Sequence, residues 1–191
     1  GRWRGGGRRR GPAVRGGVWL GAVRGETTVQ RQDDLGPDAV PHVIDPVPDC
    51  DPREHDQHCA GRDYFHEALS LDVLPTLESM DAALIDGDHN WYTVFHELEL
   101  LAAGARRGGA PLPVLVLHDV LWPYGRRDLY YAPDQIPTEF RQPYDEKGMR
   151  PGTKELLPSG GLNPTMHNPL LQGCPRTGLL TRPAAFTAQY P

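Results

Sequence analysis

Residues 81–124 read DAALIDGDHNWYTVFHELELLAAGARRGGAPLPVLVLHDVLWPY, a succession of strand, acidic turn, helix, strand and acidic turn. Ala82-Ala83-Leu84-Ile85 is a short apolar run that stops at Asp86-Gly87-Asp88-His89-Asn90, a cluster too polar to continue a buried strand. From Trp91 the period lengthens. Trp91, Val94, Phe95, Leu98, Leu101 and Ala102 recur at helical spacing, and Thr93, His96, Glu97 and Glu99 take the opposite, solvated face. Asn90 is the expected N-cap. Gly104 with Arg106, Arg107, Gly108 and Gly109 is the expected C-terminal stop, its cations set against the helix dipole. Pro113-Val114-Leu115-Val116-Leu117 is then continuously apolar, as a parallel strand covered on both faces should be, and it ends in His118-Asp119. Ligands of open α/β sheets bind beyond the carboxyl ends of the strands, so Asp86, Asp88, His89, His118 and Asp119 are expected to converge at one edge.

Toward the N-terminus, Gly17-Val18-Trp19-Leu20 is an expected strand, followed by Gly21-Ala22-Val23-Arg24-Gly25-Glu26-Thr27-Thr28. Two glycines there bracket a tight turn that lets backbone approach a nucleotide-like ligand, with the N–H groups of a following helix behind it. A G-x-x-x-G spacing by itself specifies only a loop. The next strand, Val40-Pro41-His42-Val43-Ile44, adds weight because it ends in Asp45, where an acid can accept both ribose hydroxyls of an adenosine. Asp63 to Ala68 is a third expected strand, and Leu69 to Leu77 connects it to the central unit. Between them lies a polar loop with Cys50, His55, His58 and Cys59; it lacks the paired spacing of a zinc knuckle and reads as surface. The alternation predicts an α/β fold, a Rossmann-like and mostly parallel sheet of about five strands with flanking helices.

Residues 1–16 form a disordered Gly/Arg-rich arm in this reading, 17–122 the α/β domain, and 123–191 a Pro/Gly-rich covering loop or lid region. In that last region Leu179-Leu180 and Ala184-Ala185-Phe186 are the patches able to dock on the sheet. At 191 residues one domain with a genuine core is expected. Charge is uneven: residues 1–31 hold eight arginines against the single acid Glu26, whereas the whole chain carries −5. The basic arm has one aromatic residue, Trp3, and no series on which bases could stack, so nucleic-acid binding is not expected. Three cysteines, Cys50, Cys59 and Cys174, make an odd and sparse set that suits a reducing compartment better than a disulfide framework. No apolar run approaches the length of a bilayer and no charged-then-apolar leader opens the chain, so a soluble, cytoplasmic protein is expected.

The glycine turn with GETT, the second strand ending in Asp45, LIDGDHNWYTVFHEL and VLVLHDVLWPYGRRDLYY together resemble the class I S-adenosylmethionine-dependent methyltransferases. The resemblance is to the group with an IDGDH turn after strand four and a His-Asp turn after strand five, and it covers residues 17–131. It implies S-adenosylmethionine as cofactor, held by Gly21, Gly25, Glu26, Thr27 and Asp45. It further implies a divalent cation such as Mg²⁺ on Asp86 and Asp119, with His118 or a water completing the shell, and His89 as base beside Asp88. The implied reaction is methyl transfer to a hydroxyl of a small or glycosidic metabolite, with that small molecule and further copies of the chain as the expected partners. Carboxylates suit Mg²⁺, a cation lowers the pKa of a neighbouring hydroxyl, and an imidazole can take the proton. The chain departs from the pattern in three places. Trp19 and Leu20 stand where the first strand normally carries an acid, Val120 follows the second acid in place of Asn, and the two late strands of the class are missing. A non-catalytic remnant or binding domain with the same fold is therefore the alternative.

Overall fold

The computed structural model describes residues 16–21, 39–48, 64–181 and 186. Within them five short strands form one sheet: β1 (Gly16–Leu20), β2 (Val40–Ile44), β3 (Tyr64–His66), β4 (Ala82–Ile85) and β5 (Val114–Leu117). All pairings are parallel, and the order β3-β2-β1-β4-β5 puts β1 at the centre. The chain winds outward from β1 through β2 and β3, then returns to the other side of β1 with β4, so the winding reverses between β1 and β4. This is the Rossmann-like α/β arrangement expected from the alternation of patterns. Strand β1 begins at Gly16, one residue inside the stretch assigned to the arm. Residues 1–15 lie outside the described residues, as do Gly25, Glu26, Thr27 and the loop residues Cys50, His55, His58 and Cys59.

Between β3 and β4 lie one helical turn, α1 (Ser70–Val73), and a 3-10 turn, Leu74–Thr76; the long helix α2 (Trp91–Arg107) joins β4 to β5. Side chains alternate across the strands, which decides what each face meets. Val18, Leu20, Ile44, Ala83 and Ile85 join Val94, Leu98, Leu101 and Ala102 of α2 in the main core, whereas Trp19, Val43 and Leu84 cluster on the other face. The N-cap is the expected one, with Asn90 Oδ1 accepting from Thr93 N–H at 2.8 Å.

Three details differ from the expectation. The helix runs through Gly104 and is capped by Gly108. A helical glycine costs about 1 kcal/mol relative to alanine, less than the burial of Leu101, Ala102 and Ala105 beside it contributes. Glu97 is not on a solvated face: it is 1% exposed and accepts from Ser70 Oγ at 2.6 Å, because α1 packs against that side of α2. Strand β5 is covered on one face only. Leu115 and Leu117 pack on the core while Val114 and Val116 are 67% and 50% exposed, and no strand among the described residues lies beyond this edge.

After β5 the chain has little regular structure: two 3-10 turns (Pro133–Gln135 and Thr138–Phe140) and a small antiparallel pair, β6 (Tyr144–Glu146) with β7 (His167–Pro169). Buried polar side chains hold it in place. Arg127 donates to the carbonyls of Lys154 and Pro169 and, at 3.4 Å, to Gln172 Oε1. Asp128 Oδ1 accepts from Trp91 N–H and Gly178 N–H, both at 2.8 Å, so one carboxylate ties the start of α2 to the far end of the chain. Gly178 has φ +72°, and a Cβ there would lie 2.4 Å from Arg126 Cα, so only glycine lets the two segments pass. Asn168 donates to the carbonyls of Lys147, Asn163 and Met166. Leu179 and Phe186 are buried in the main core, in line with the docking expected of their patches. Among the described residues no helix is long and apolar enough to cross a membrane.

Candidate functional site

The residues that immediately follow the strands form one continuous rim. Gly21 N–H donates to Ile44 O (2.9 Å), Asp45 N–H to His66 O (3.1 Å), Asp86 N–H to Leu20 O (2.9 Å) and His118 N–H to Ile85 O (3.0 Å). Each strand thus hands its first loop residue to the ladder of a neighbour. Gly21, Asp45, Asp86 and His118 are thereby fixed at the carboxyl edge, on either side of the place where the winding reverses.

Gly21 sits at that reversal with φ +85°. A Cβ on it would lie 2.6 Å from both Asp86 O and Gly87 Cα, so the β1 turn is pressed against the β4 turn and has no room for a side chain. Gly21 is also held beside the β2 end by its N–H bond to Ile44 O. There the carboxylate of Asp45, 6% exposed, accepts from Val47 N–H at 2.9 Å and so holds the turn leaving β2.

On the other side of Gly21 the acids and imidazoles come together. His118 Nδ1 lies 3.0 Å from Asp86 Oδ1 and 3.2 Å from Asp119 Oδ1. One ligand atom from each of these three residues falls within 4.8 Å of the other two. Asp119 has φ +50°, a left-handed conformation that aspartate tolerates better than most residues. Its second oxygen is 3.3 Å from His89 Nε2. Partial burial pushes the Asp86 carboxyl above its ordinary pKa, against the opposing pull of His118 and His89. Asp88 Oδ1 accepts from His89 N–H at 2.8 Å, which shapes the turn that presents the imidazole.

His89 itself is buried, and its Nδ1 has no hydrogen-bond partner among the described residues. Its ring lies between two tyrosines from the segment after β5, with centroids 5.6 Å from Tyr124 and 6.1 Å from Tyr131. The Tyr124 hydroxyl accepts from Asn163 Nδ2 at 2.7 Å and donates to Asn168 Oδ1 at 3.4 Å. Burial, reinforced by the negative charge of Asp88, pushes the Tyr131 hydroxyl up to about 12.

All five residues expected at the rim from 81–124, namely Asp86, Asp88, His89, His118 and Asp119, are brought together, with Gly21 and Asp45 alongside. Gly25, Glu26 and Thr27 lie outside the described residues. The pair Arg126-Arg127 with Tyr130-Tyr131 admits two sequence readings, a grip on an anionic or sugar-like substrate or a solvated face, and the structure places these residues otherwise. Arg127 and Tyr130 are inside, 2% and 0% exposed, and only Tyr131 reaches the site. Tyr124, Asp128 and Asn168 carry no sequence signal of a role, since each has a partner more than 30 residues away. A separate cleft of about 550 Å³, lined by Trp91, Phe95, Phe140 and Arg176 among others, runs along α2 and does not include the acidic rim. No protein-family model matches the chain, and no curated protein matches it.

Proposed function

We propose that the protein transfers a methyl group from S-adenosylmethionine to a hydroxyl of a small or glycosidic metabolite. The observation that carries this reading is the arrangement at the winding reversal. There Gly21, with no side chain, is flanked by the Asp45 carboxylate on the β2 side and by the Asp86, His118 and Asp119 cluster on the β4 and β5 side. A glycine at that place suits close approach of a flat nucleoside, and an acid at the end of β2 suits its ribose hydroxyls. Gly25, Glu26 and Thr27 complete the cofactor loop in this reading.

The carboxylates of Asp86 and Asp119 with the imidazole of His118 fit a divalent cation in donor type and mutual distance. When bound, such a cation makes a neighbouring substrate hydroxyl more acidic. His89 Nε2 is the nitrogen facing the cluster and takes the hydroxyl proton; Asp119 Oδ2 then accepts from the Nε2–H of the imidazolium so formed, and Asp88 fixes the turn behind it. The substrate oxygen would then form its bond to the methyl carbon as the C–S bond breaks, the electron pair of that bond staying on the sulfur, which becomes a neutral thioether. Tyr131, with its raised pKa, stays protonated and offers a ring wall and a donor beside the cluster.

Trp19 favours the second reading, a non-catalytic binding domain of the same fold. It occupies the position of the usual first-strand acid and is turned into the cluster with Val43 and Leu84, so that position supplies no carboxylate to the methionine end of a cofactor. Calorimetric titration with S-adenosylhomocysteine tests the proposal, which expects saturable heat from the folded protein. No heat at millimolar ligand would sink it. Saturable heat with no methyl transfer to any of a panel of hydroxylated acceptors would decide for the second reading.

A further inference from the structure

We infer that the Asp86, His118 and Asp119 cluster is selective for a divalent transition-metal ion of the Co²⁺, Fe²⁺ or Zn²⁺ type over Mg²⁺ and Ca²⁺. The inference rests on the cation role proposed above for these residues and names which ion they take. It starts from the donor atoms. Mg²⁺ and Ca²⁺ are hard ions that take oxygen ligands, whereas an imidazole nitrogen suits the borderline ions later in the first transition row. Here the nitrogen sits in the middle of the set, 3.0 Å from one carboxylate oxygen and 3.2 Å from the other.

Those distances suit a small ion, Mg²⁺ or a transition-metal ion alike, better than Ca²⁺, so the nitrogen donor carries the preference over Mg²⁺. Adjacent ligands around a cation at about 2.1 Å are separated by about 3.0 Å, and around Ca²⁺ at about 2.4 Å by about 3.4 Å. Ordinary hydrogen bonds have similar lengths, so the proton count matters more. His118 Nδ1 carries at most one hydrogen, which can be directed at only one of the two carboxylate oxygens it touches. The two oxygens must share that hydrogen, whereas a cation among the three atoms meets all of them at once.

A second feature points into the same place. His89, with a side chain 9% exposed, aims Nε2 at the Asp119 oxygen that His118 does not touch, while its Nδ1 has no hydrogen-bond partner among the described residues. A carboxylate that offers one oxygen to an ion and the other to a buried imidazole is the pattern by which outer residues orient a metal ligand. With a proton on Nε2, His89 is thus a positioning residue for Asp119 in cation binding.

The test uses Co²⁺ as a spectroscopic probe beside Mg²⁺ and Ca²⁺, with the full chain and no cofactor or acceptor present. Calorimetry is expected to show Co²⁺ bound at least about tenfold more tightly than either hard ion, in the order expected when nitrogen joins the donor set. Proton NMR of the Co²⁺ form should show a strongly shifted imidazole N–H that is absent from His118→Asn. That variant replaces nitrogen by a neutral oxygen at a side chain 59% exposed, so it should fold normally and narrow the Co²⁺ over Mg²⁺ preference several-fold. Equal binding of the three ions, no binding of any of them, or a preference untouched by His118→Asn would each overturn the inference. S-adenosylhomocysteine titration keeps the two proposals apart. Cofactor binding without ion selectivity removes the cation assignment alone, and ion selectivity without cofactor binding removes the methyltransferase reading alone.

Discussion

Between Ala82 and Leu117 the strands and α2 are held by apolar side chains at regular spacing. Between Tyr124 and Leu179 the chain is held by Arg127, Asp128 and Asn168, each with hydrogen bonds that reach across more than 20 positions of sequence. The first region is a repetitive solution in which each residue contributes a similar increment. The second concentrates its stability in a few buried polar groups, each of which is costly to leave unpaired. The two meet at His89, which is presented by the β4 turn and walled by Tyr124 and Tyr131 from the later chain.

The largest effect is expected at that meeting point. With an identified acceptor, His89→Ala should lower turnover by about 10²–10⁴ and leave S-adenosylhomocysteine affinity nearly unchanged, as loss of a general base does. Turnover within a few-fold of the parent protein would show that the imidazole only fills the space between the two tyrosines.

Next in size is Arg127→Ala, which sharpens the contrast between the regions. It strips the donors from the Lys154 and Pro169 carbonyls and should cost about 3 kcal/mol, or about 6–12 °C in melting temperature. Arg127→Lys should rescue little, because an ammonium cannot span the same fork of acceptors. A melting temperature within 2 °C of the parent in calorimetry would mean that the segment after β5 is held by something other than this pin.

The same contrast explains what the sequence made legible. The period of two in β4 and of 3.6 in α2 comes from one face of each element meeting the core, so reading the pattern amounts to reading the packing. Asp86, His89 and His118 were visible because they interrupt apolar runs. The exposure of Val114 and Val116 was invisible for the converse reason: VLVL looks the same whether one face is covered or both. Glu97 breaks the expectation because a single buried carboxylate that accepts from Ser70 Oγ leaves the helical period intact. Arg127 and Asp128 look like any charged surface pair in GRRDLYY, since nothing local indicates that their partners lie near residues 154, 169 and 178.

A smaller effect tests the regular region. Asn90→Ala removes the cap of α2 and should cost about 1 kcal/mol. Asp128 still satisfies Trp91 N–H from the other region, so Asn90→Ala and Asp128→Ala should not add independently. Strict additivity in a double-mutant cycle would show that the two regions cap the helix separately.

The smallest expected effect lies far from the seam, at the β2–β3 edge, and depends on pH. His42 Nδ1 lies 2.9 Å from His66 Nε2, with ring centroids 5.2 Å apart and planes inclined by 13°. The two nitrogens therefore point straight at each other and can share one proton. Burial pushes the His42 pKa below its ordinary value, helped by the charge of His66, and burial does the same to His66. A histidine whose folded pKa is depressed takes up its proton more readily in the unfolded chain. Its stabilising contribution is fully present above the ordinary histidine pKa of about 6.5 and is lost as pH falls through the lower folded value. Melting temperatures between pH 7.5 and about 5 should therefore drop more steeply for the parent than for His42→Gln, by about 1–3 °C over the interval. The two proteins should differ most at the neutral end and converge at the acid end. Parallel curves across the interval would mean that the pair carries no proton-linked stability and that the apolar contacts of Val43 and Ile44 alone hold β2 in register.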